Sequence, residues 1–487
     1  MNFWPPQDLF GDALTVAADV DLGSVVWAGA GDIVVFPDGS SWAVAVAIIE
    51  TPDNPNQVSK PFLRFLKQDN TAQSGFFPVD IFIPTPGTRA CRLPKVDCTY
   101  YPYMGSNRLE VVVAFRFGLD GYDYNIMKTW DVCVVKMLFR YTGGIWQQIG
   151  GCAQMHGGGM AAPGTGQTHP DISLDQQTGD IFIAWTECDP DDVDQDNDRL
   201  TAKYARHDAE DDDWKGPFLL EFGENSKWRD HDPWFVSLDV GLVQIPDVPL
   251  QRVVGFAYTG LFGPGDNLWG CRSLVGWWDT SLPDPQPGGG HEACKMLKWA
   301  QFPPGGGGNK YDAGLVKVDI PADNAPYHGG AAVFVQDTCA PTATYEIWGI
   351  NSLNPAFTLI SDPGLTDFDE ATWPSLAVHN STGSTAAVTF FFKDNECDPP
   401  PCNWQAFATH WNLETNDVAE PTMIDDEAEG DFSLDVPGNL IIHNWGTSSS
   451  LVNLDLGGNN MYWAAWSDRM GGADPNRVRG CVGFADP

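Results

Sequence analysis

Short runs of apolar and β-branched residues recur along the whole chain, separated by clusters of Gly, Pro, Asn and Asp. Few segments carry the 3.6-residue spacing of an amphipathic helix. Most runs either alternate between apolar and polar positions or are continuously apolar over a short stretch, and turn-forming residues bound them. This pattern is typical of β-strands and predicts an all-β protein.

The strands fall into a repeated unit of four. In the clearest copy, a strand at 168–175 precedes an apolar strand at 179–185, and an acidic loop leads to a strand at 200–206 and then to Trp214. A second copy places corresponding strands at 373–379, 386–392 and 405–411. Repetition of one supersecondary unit indicates an architecture in which each unit packs against its neighbours.

The units are predicted to open near residues 31, 93, 168, 230, 311, 373 and 431. Six steps between the first and last opening give a period of about 67 residues, which suits four strands with long loops. The prediction is therefore a β-propeller of seven four-stranded blades. Because two steps are longer than the others, six or eight blades are alternatives, and two β-sandwich domains are another. The predicted blades span 31–92, 93–167, 168–229, 230–310, 311–372, 373–430 and 431–487.

The last unit ends with apolar runs at 461–466 and 478–484 and lacks a fourth strand. A strand from the N-terminal region 10–30, around residues 14–20, is predicted to complete it. Such a strand would close the ring of blades and leave only short, protected sheet edges.

The charge is strongly negative: 65 Asp and Glu oppose 27 Lys and Arg, for a formal net charge of −38. Such a surface repels nucleic-acid phosphates and anionic lipid headgroups, so neither is expected as a partner. The chain also has no apolar run long enough for a transmembrane helix, so membrane insertion is not expected. A carbohydrate or a protein remains as the expected partner, and self-association stays open.

The 11 cysteines form no C-x-x-C pair and no zinc-type Cys/His cluster. Cys397 and Cys402 flank a short Asp/Pro-rich loop, which is better explained by a disulfide than by a metal. Disulfides indicate an oxidising compartment, so an extracellular or cell-surface location is expected. No signal peptide is recognisable in this numbering.

Three segments resemble sialidase-like, or BNR-repeat, β-propellers: IFIAW at 181–185, YAR at 204–206 and MYWAAWSD at 461–468. In that superfamily an apolar strand ends in Trp and the third strand resembles Y-x-R-S. The family's Asp-box, S-x-D-x-G-x-T-W, is degenerate here, with its nearest matches at 206–214 and 139–146. No Phe-Arg-Ile-Pro segment is present. The resemblance implies a propeller fold. The sialidase catalytic residues are not expected in it.

In a propeller, the loops entering each first strand and the loops joining second and third strands share one rim of the axis, where function usually resides. One of these loops alternates aspartates at Asp192, Asp194, Asp196 and Asp198. Alternating carboxylates suit Ca²⁺, although an ordinary solvated acidic loop is the alternative. No motif for an organic cofactor occurs.

The same rim is expected to hold histidines beside aspartates: His169 with Asp171, and His231 between Asp230 and Asp232. A carboxylate beside an imidazole favours general acid–base catalysis, and paired carboxylates serve glycoside hydrolysis. The alternative is a purely structural hydrogen-bonding role for each histidine.

Aromatic side chains at Trp269, Trp277 and Trp404 fall in or beside predicted loops and could stack on the apolar face of a sugar. The alternative is that they are wedges between packed blades.

Three functions are compatible with these residues. The first is an extracellular propeller that binds a glycan or protein on its axial rim. The second is a carbohydrate-active hydrolase or lyase with acid and base residues on that rim. The third is a structural subunit of an extracellular filament, surface layer or virion appendage. Fold alone does not choose among them.

Overall fold

In a computed structural model, every regular element of the described residues is a β-strand. The structure describes residues 2–3, 7–8, 25–35, 41–50, 59–67, 77–79, 91–101, 108–118, 130–150, 153–157, 166–188, 200–220, 231–247, 249–261, 271–280, 296–302, 313–321, 323, 325–337, 345–361, 370–379, 382–393, 404–425, 450–456, 459–468 and 477–485. Across these ranges no helix is long and apolar enough to span a bilayer.

The strands form six hydrogen-bonded sheets. Sheet 1 contains β3 (Val25–Val35), β4 (Ser41–Glu50), β5 (Ser59–Lys67) and β6 (Phe77–Pro78). Sheet 2 contains β7 (Cys91–Tyr101), β8 (Arg108–Gly118), β9 (Trp130–Thr142), β10 (Ile145–Gln148) and β11 (Ala153–Gly157). Sheet 3 contains β12 (Gln167–Leu174), β13 (Ile181–Cys188), β14 (Leu200–Asp208) and β15 (Asp213–Leu219). Sheet 4 contains β16 (His231–Val243), β17 (Gln251–Leu261), β18 (Cys271–Asp279) and β19 (Met296–Phe302).

Sheet 5 has eight strands in two antiparallel groups, which are joined by the single parallel pair Tyr345–Glu370. Its first group contains β20 (Ala313–Asp319), β21 (Ala331–Asp337), β22 (Tyr345–Asn351) and β23 (Thr358–Leu359). Its second group contains β24 (Glu370–Val378), β25 (Thr385–Lys393), β26 (Trp404–Asn412) and β27 (Thr422–Asp425). Sheet 6 contains β28 (Ser450–Leu456), β29 (Asn459–Asp468) and β30 (Arg477–Ala485), and both β1 (Asn2–Phe3) and β2 (Gln7–Asp8) pair with β30.

The sheets have a β-propeller arrangement, as the sequence pattern predicted. The first strand of each antiparallel group contacts the first strand of the next group along the chain, and β28 in turn contacts β3. These first strands therefore surround a common axis, and each sheet extends outward from it.

Nearly every described first strand contains the same irregularity. Its pairing with the second strand is interrupted in β3, β7, β12, β16, β20 and β24, with extra residues on the first strand. Prolines lie inside four of these interruptions, at Pro94, Pro170, Pro233 and Pro374. A proline lacks the N–H that a regular ladder needs, so a β-bulge accommodates it without losing a hydrogen bond.

Beyond each bulge, polar side chains on one first strand accept backbone N–H groups of the next. The Asp97 carboxylate accepts from Leu174 N at 2.5 Å, and the Asp239 carboxylate accepts from Ile320 N at 2.6 Å. The Asp319 carboxylate accepts from Val378 N at 2.6 Å. These contacts join neighbouring antiparallel groups of strands at the axis, where first-strand N–H groups would otherwise be unpaired.

Apolar layers fill the space between sheets. Sheets 1 and 2 enclose a cluster in which Phe65 stacks on Trp146 with ring centroids 4.8 Å apart. Trp185, Ile183 and Val134 belong to the layer between sheets 2 and 3, and Tyr204 and Phe256 belong to the layer between sheets 3 and 4. Sheets 2 and 3 thus bury apolar side chains on both faces, which explains the nearly continuous apolar runs in their strands.

The two degenerate Asp-box matches both lie at turns between third and fourth strands. In 206–214, Asp208 Oδ1 accepts from Glu210 N at 3.0 Å, and Trp214 packs edge-on against His207. In 139–146, glycines at 143 and 144 make the turn with positive φ, and Trp146 is buried. Both segments therefore form a tight turn that is followed by a tryptophan packed against its neighbours.

Two predictions concern residues that the structure leaves undescribed. The predicted closing strand at 14–20 lies outside the described residues, as do Cys397 and Cys402 of the predicted disulfide loop. Three other cysteines, Cys91, Cys98 and Cys133, are buried thiols of sheet 2. Burial raises the pKa of the Cys133 thiol well above its ordinary value, with Cys91 adding to the shift, so that thiol is chemically inert.

Candidate functional site

The candidate site lies where second strands end and third strands begin, which we call the loop-side end of the sheets. Five buried polar or charged residues of sheets 2 and 3 lie there: Arg116, Asp131, Gln167, His169 and Glu187. They belong to β8, β9, β12 and β13, and every one is within a few residues of the point where its strand meets a loop.

Glu187 is the centre of this group. It is 2% exposed, and its Oε2 accepts from Trp185 Nε1 at 3.0 Å and from Gln167 Nε2 at 3.2 Å. Its Oε1 accepts from Lys203 Nζ at 2.6 Å. A buried carboxylate is stable only when its oxygens are paired in this way. We call Glu187, Gln167, Lys203 and Trp185 the Glu187 network.

The Glu187 network also connects two sheets. Gln167 Oε1 accepts from Val132 N of β9 at 3.2 Å while the amide nitrogen of the same side chain donates to Glu187. Sheet 2 and sheet 3 are therefore joined at their loop-side ends by one side-chain amide, which fixes the orientation of the carboxylate.

An arginine and a tryptophan lie at the corresponding end of sheet 2. The guanidinium carbon of Arg116, on β8, is 4.0 Å from the centroid of the Trp130 ring, at the start of β9. Both side chains are almost fully buried. A guanidinium stacked on an indole face is held in place without losing its planar hydrogen-bonding edge.

His169 occupies the bulge of β12. It is 7% exposed and has a φ of 49°, in the left-handed region. Three other described non-glycine residues have positive φ, namely Asp212, Asp247 and Asn416, and all three lie in turns at the opposite end of the sheets. His169 thus differs from them in holding this conformation inside a strand, where strain is often associated with a functional site.

Asp171 lies two residues further along β12, at the axis, and joins sheets 3, 4 and 5. Its Oδ2 accepts from Ser237 Oγ at 2.6 Å and from Leu238 N at 3.0 Å, and Lys317 Nζ lies 3.6 Å away. Burial opposes ionisation, but Lys317 and Lys95 outweigh it and hold the pKa of Asp171 below its ordinary value. The carboxylate is therefore ionised and committed to these partners.

The other predicted acid–base residues are only partly described. His231 and Asp232 begin β16, so their backbone lies at the loop-side end of sheet 4. Asp230 lies outside the described residues, as do Asp192, Asp194, Asp196 and Asp198 of the predicted calcium loop. Elsewhere, no group of three or more His, Cys, Asp or Glu side chains in the described ranges is arranged to hold a metal ion.

The prediction for Trp277 needs correction. Its side chain is 4% exposed and belongs to the layer between sheets 4 and 5. A Cβ at Gly255 would lie 2.4 Å from the Trp277 ring, and one at Gly330 would lie 2.8 Å from it, so both glycines make room for the indole. Trp277 is therefore a wedge between sheets and has no free face for a sugar. Trp404 begins β26, and Trp269 lies outside the described residues.

Sequence reasoning missed Gln167, Lys203 and Arg116, and it treated Glu187 only as the start of an acidic loop. A signal was available for Glu187, because side chains on a strand alternate between faces. Glu187 shares a face with Ile181, Ile183 and Trp185, all of which are buried. A glutamate that extends such a face is expected to be buried and paired.

No protein-family model matches this chain, and no curated protein matches it. Solved structures with a similar chain path include a Trypanosoma rangeli sialidase in complex with sialic acid, at 10% identity and a TM-score of 0.41 over 80% of this chain. The matched part is 54% of that sialidase. The polysaccharide lyase Uly1 is similar at 9% identity and a TM-score of 0.44 over the whole of both chains. The hemagglutinin-neuraminidase ectodomain of parainfluenza virus 5 is similar at 8% identity and a TM-score of 0.39 over 82% of each chain.

Proposed function

We propose that this protein is a β-propeller that binds a glycan at the loop-side end of sheets 2 and 3. The observation that carries the proposal is the Glu187 network, a buried set of charged and amide groups placed where loops emerge. A layer between two sheets does not need such groups for packing, and burying a charged pair is energetically unfavourable compared with apolar filling.

The chemistry of these side chains suits a sugar. Hydroxyl groups both donate and accept hydrogen bonds, and carboxylate, amide and guanidinium groups offer both partners in fixed planes. Specific ligand sites place a few such polar groups within an apolar surround. Trp185 and Trp130 are fully buried here, so they hold Glu187 and Arg116 in place rather than stack on a sugar. The formal charge of −38 disfavours a polyanionic ligand, so a neutral or weakly charged glycan is the best fit.

We further infer that the units close as a ring of seven blades, with the short strands at residues 2–3 and 7–8 completing the last sheet. The division of sheet 5 into two antiparallel groups supports the count, and the pairing of β1 and β2 with β30 supports the closure. A ring of this kind would hold the loop-side ends of all units around one axis.

Calcium is proposed for the loop that follows β13, through Asp192, Asp194, Asp196 and Asp198. That loop begins directly after the strand that carries Glu187, so an ion there would order a segment beside the site. An extracellular or cell-surface location is proposed with it, because millimolar calcium and disulfides both belong to that environment.

A hydrolase or lyase is the second candidate, and one observation favours it. His169 is buried and holds a left-handed conformation within a strand at the same end. Backbone strain of this kind is often kept for catalysis. His169 would be the acid–base residue, with Asp230, His231 and Asp232 as further candidates from sheet 4. Asp171, which is tied to Lys317 and Ser237, would position β12 rather than react.

The test is an oligosaccharide array probed with the purified full-length protein, followed by assays for released reducing ends and unsaturated uronates on every glycan retained. Binding without product release supports the proposal. Product release that disappears in His169→Asn, which tolerates the left-handed backbone, replaces the binding function with catalysis. The absence of binding to every neutral and acidic oligosaccharide contradicts both.

A further inference from the structure

Two arginines lie directly opposite each other in sheet 2, at the end of the sheet remote from the Glu187 network. In the ladder between β8 and β9, Arg108 is the partner of Arg140, and Arg140 is in turn the partner of Gln147 on β10. Directly opposed residues of an antiparallel pair project from the same face, with Cβ atoms about 5 Å apart. These three side chains therefore form one row of hydrogen-bond donors across three strands, which we call the arginine row.

The two guanidinium groups of the row lack acceptors. Within the described residues, the Nε atoms of Arg108 and Arg140 are buried without a hydrogen-bond partner, and neither guanidinium forms an ion pair. The carboxylate two residues along β8, that of Glu110, lies 2.7 Å from Lys136 Nζ instead. Like charges placed directly opposite each other destabilise a sheet, and a buried donor without an acceptor adds to the cost.

The chain segments around the row do not supply the missing acceptor. Residues 102–107, which lead into β8 and lie outside the described residues, contain no Asp or Glu, and the turn at 143–144 consists of two glycines. The carboxylates at this end of the neighbouring sheet 3 contact other side chains: Asp180 and Asp208 contact Arg206, and Asp212 contacts His207. Arg206 alternates with Tyr204 on the face of sheet 3 that is turned toward sheet 4, away from the arginine row.

The row is open to solvent on one side. Arg108 and Arg140 are half-buried, and Gln147 is exposed. Leu138 and Ile145 lie on the same face, one step to either side of the row, and are 37% and 46% exposed. A ligand can therefore reach the guanidinium groups from solvent, and aliphatic surface beside them can contact whatever carries the ligand's charge.

We propose that the arginine row binds a tetrahedral oxyanion, either a sulfate or a phosphate group. Such a group carries up to two negative charges and presents oxygens in several directions, so two guanidinium groups on adjacent strands can both donate to it. Charges more than about 10 Å away are largely screened at 0.1 M salt, so the net charge of −38 does not prevent one such group from binding. The site is independent of the proposed glycan function, because it lies at the opposite end of sheet 2.

The test is a calorimetric titration of the full-length protein with sodium sulfate and with sodium phosphate, in chloride buffer at constant ionic strength. Binding of at least one of the two ions is expected. Arg108→Gln and Arg140→Gln should each weaken it by about tenfold or more, since each removes a charge-assisted donor. Arg206→Gln is the matched control. It removes an arginine from the other face of sheet 3 and should bind the ion as the wild type does.

Glucose 6-sulfate distinguishes a free ion from a group carried by a larger molecule. Tighter binding than that of inorganic sulfate, lost in Arg140→Gln, identifies a sulfate ester as the ligand. Equal or weaker binding identifies the free ion. The absence of binding by sulfate, phosphate and glucose 6-sulfate contradicts the proposal, as does equal affinity of the wild type and both arginine-row variants.

A crystallographic measurement needs no variant and decides the matter if the substitutions prevent folding. Selenate has the shape and charge of sulfate and scatters anomalously. Crystals of the wild-type protein soaked in sodium selenate are expected to show an anomalous peak within hydrogen-bonding distance of both Arg108 and Arg140. Selenate peaks at other surfaces with none at the arginine row contradict the proposal.

Discussion

The two faces of sheet 3 pack against neighbouring sheets in different ways. Toward sheet 4, the layer is filled by aromatic and aliphatic side chains such as Phe182, Tyr204, Phe256 and Tyr258. Toward sheet 2, the middle of the layer is equally apolar, but its loop-side end holds the Glu187 network. Both layers bury the same sheet, so apolar filling is sufficient to hold two sheets together. The charged end of the second layer is therefore not required for packing, and this is the basis of the glycan proposal.

The opposite end of the same layer also carries charged groups, but these have a structural explanation. Glu110 is buried beside Lys136 at 2.7 Å, and His207 lies near Asp212 and Trp214 at the turn after β14. Burial raises the pKa of Glu110, although Lys136 partly opposes the shift. His207 lies at a tight turn, and every residue of that turn is described. The Glu187 network, in contrast, lies beside long loops.

The largest effect is expected from breaking the Glu187 network. Glu187→Ala leaves Lys203 and the Trp185 N–H without an acceptor in a buried site, which should lower the free energy of unfolding by about 3–5 kcal/mol. Urea denaturation measures this. The double variant Glu187→Leu with Lys203→Met should recover most of the loss, because it makes this layer resemble the one between sheets 3 and 4. A double variant no more stable than Glu187→Ala would break the comparison.

The sequence was sufficient to predict an all-β propeller, because strand length, alternation and turn residues are local properties. His169 and Pro170 indicated that a first strand begins near them, but they did not predict its bulge. The geometry of a bulge depends on the partner strand as well. Trp277 illustrates a different limit. Its neighbours Trp278 and Asp279 are residues that also occur at the edge of a loop. Gly255 and Gly330, which are distant in sequence, nevertheless create the space that buries Trp277.

The candidate site was harder to predict than the fold. Asp171 was identified as a candidate because it follows a histidine, but its partners Ser237 and Lys317 lie on other sheets, and only the folded chain brings them together. Gln167 and Lys203 carry no motif at all. Their importance follows from contact with Glu187 on the neighbouring strand of sheet 3, and the register that pairs these strands is not encoded in local spacing.

A second effect concerns the loss of stability in acid, which we attribute to His379, a histidine that lies outside both layers. Burial, with a smaller contribution from His410, lowers the pKa of His379 to about 4, against about 6.5 when unfolded. Below pH 6.5 the unfolded state therefore binds the proton first, and stability falls as the pH drops toward 4. The loss from this group should be about 2 kcal/mol between pH 7 and pH 5.

His379→Gln should remove that part of the pH dependence, as measured by urea denaturation at each pH. His231→Gln provides a matched histidine substitution at the other end of the sheets. If the wild type and His379→Gln lose stability in parallel over this range, the buried neutral histidine is not the cause.

A smaller effect is expected at the axis, where carboxylates join sheets that apolar layers already hold. Asp239→Ala removes the acceptor for Ile320 N and Ser173, which should destabilise the protein by about 1–3 kcal/mol. Hydrogen exchange should show the loss locally, as faster exchange of the Ile320 amide. Unchanged protection of that amide would mean that the layers alone fix the first strands.

The smallest effect on stability is expected from His169→Asn, because asparagine adopts a left-handed backbone readily. Its free energy of unfolding should stay within about 1 kcal/mol of the wild-type value. His169→Val at the same position should cost more, since a β-branched residue is strained there. Equal stability of the two variants would show that the left-handed conformation of residue 169 is not maintained in solution.

The most direct test of the glycan site is a calorimetric titration with the best oligosaccharide from the array, comparing Glu187→Gln with Val254→Ala. Glu187→Gln keeps the shape of the network but removes its charge, and Val254→Ala alters the apolar layer on the other face of sheet 3. We predict that Glu187→Gln weakens binding by about tenfold or more, equivalent to about 1.4 kcal/mol, while Val254→Ala binds as the wild type does. Equal affinity of both variants and the wild type would contradict the assignment of the ligand to the layer between sheets 2 and 3.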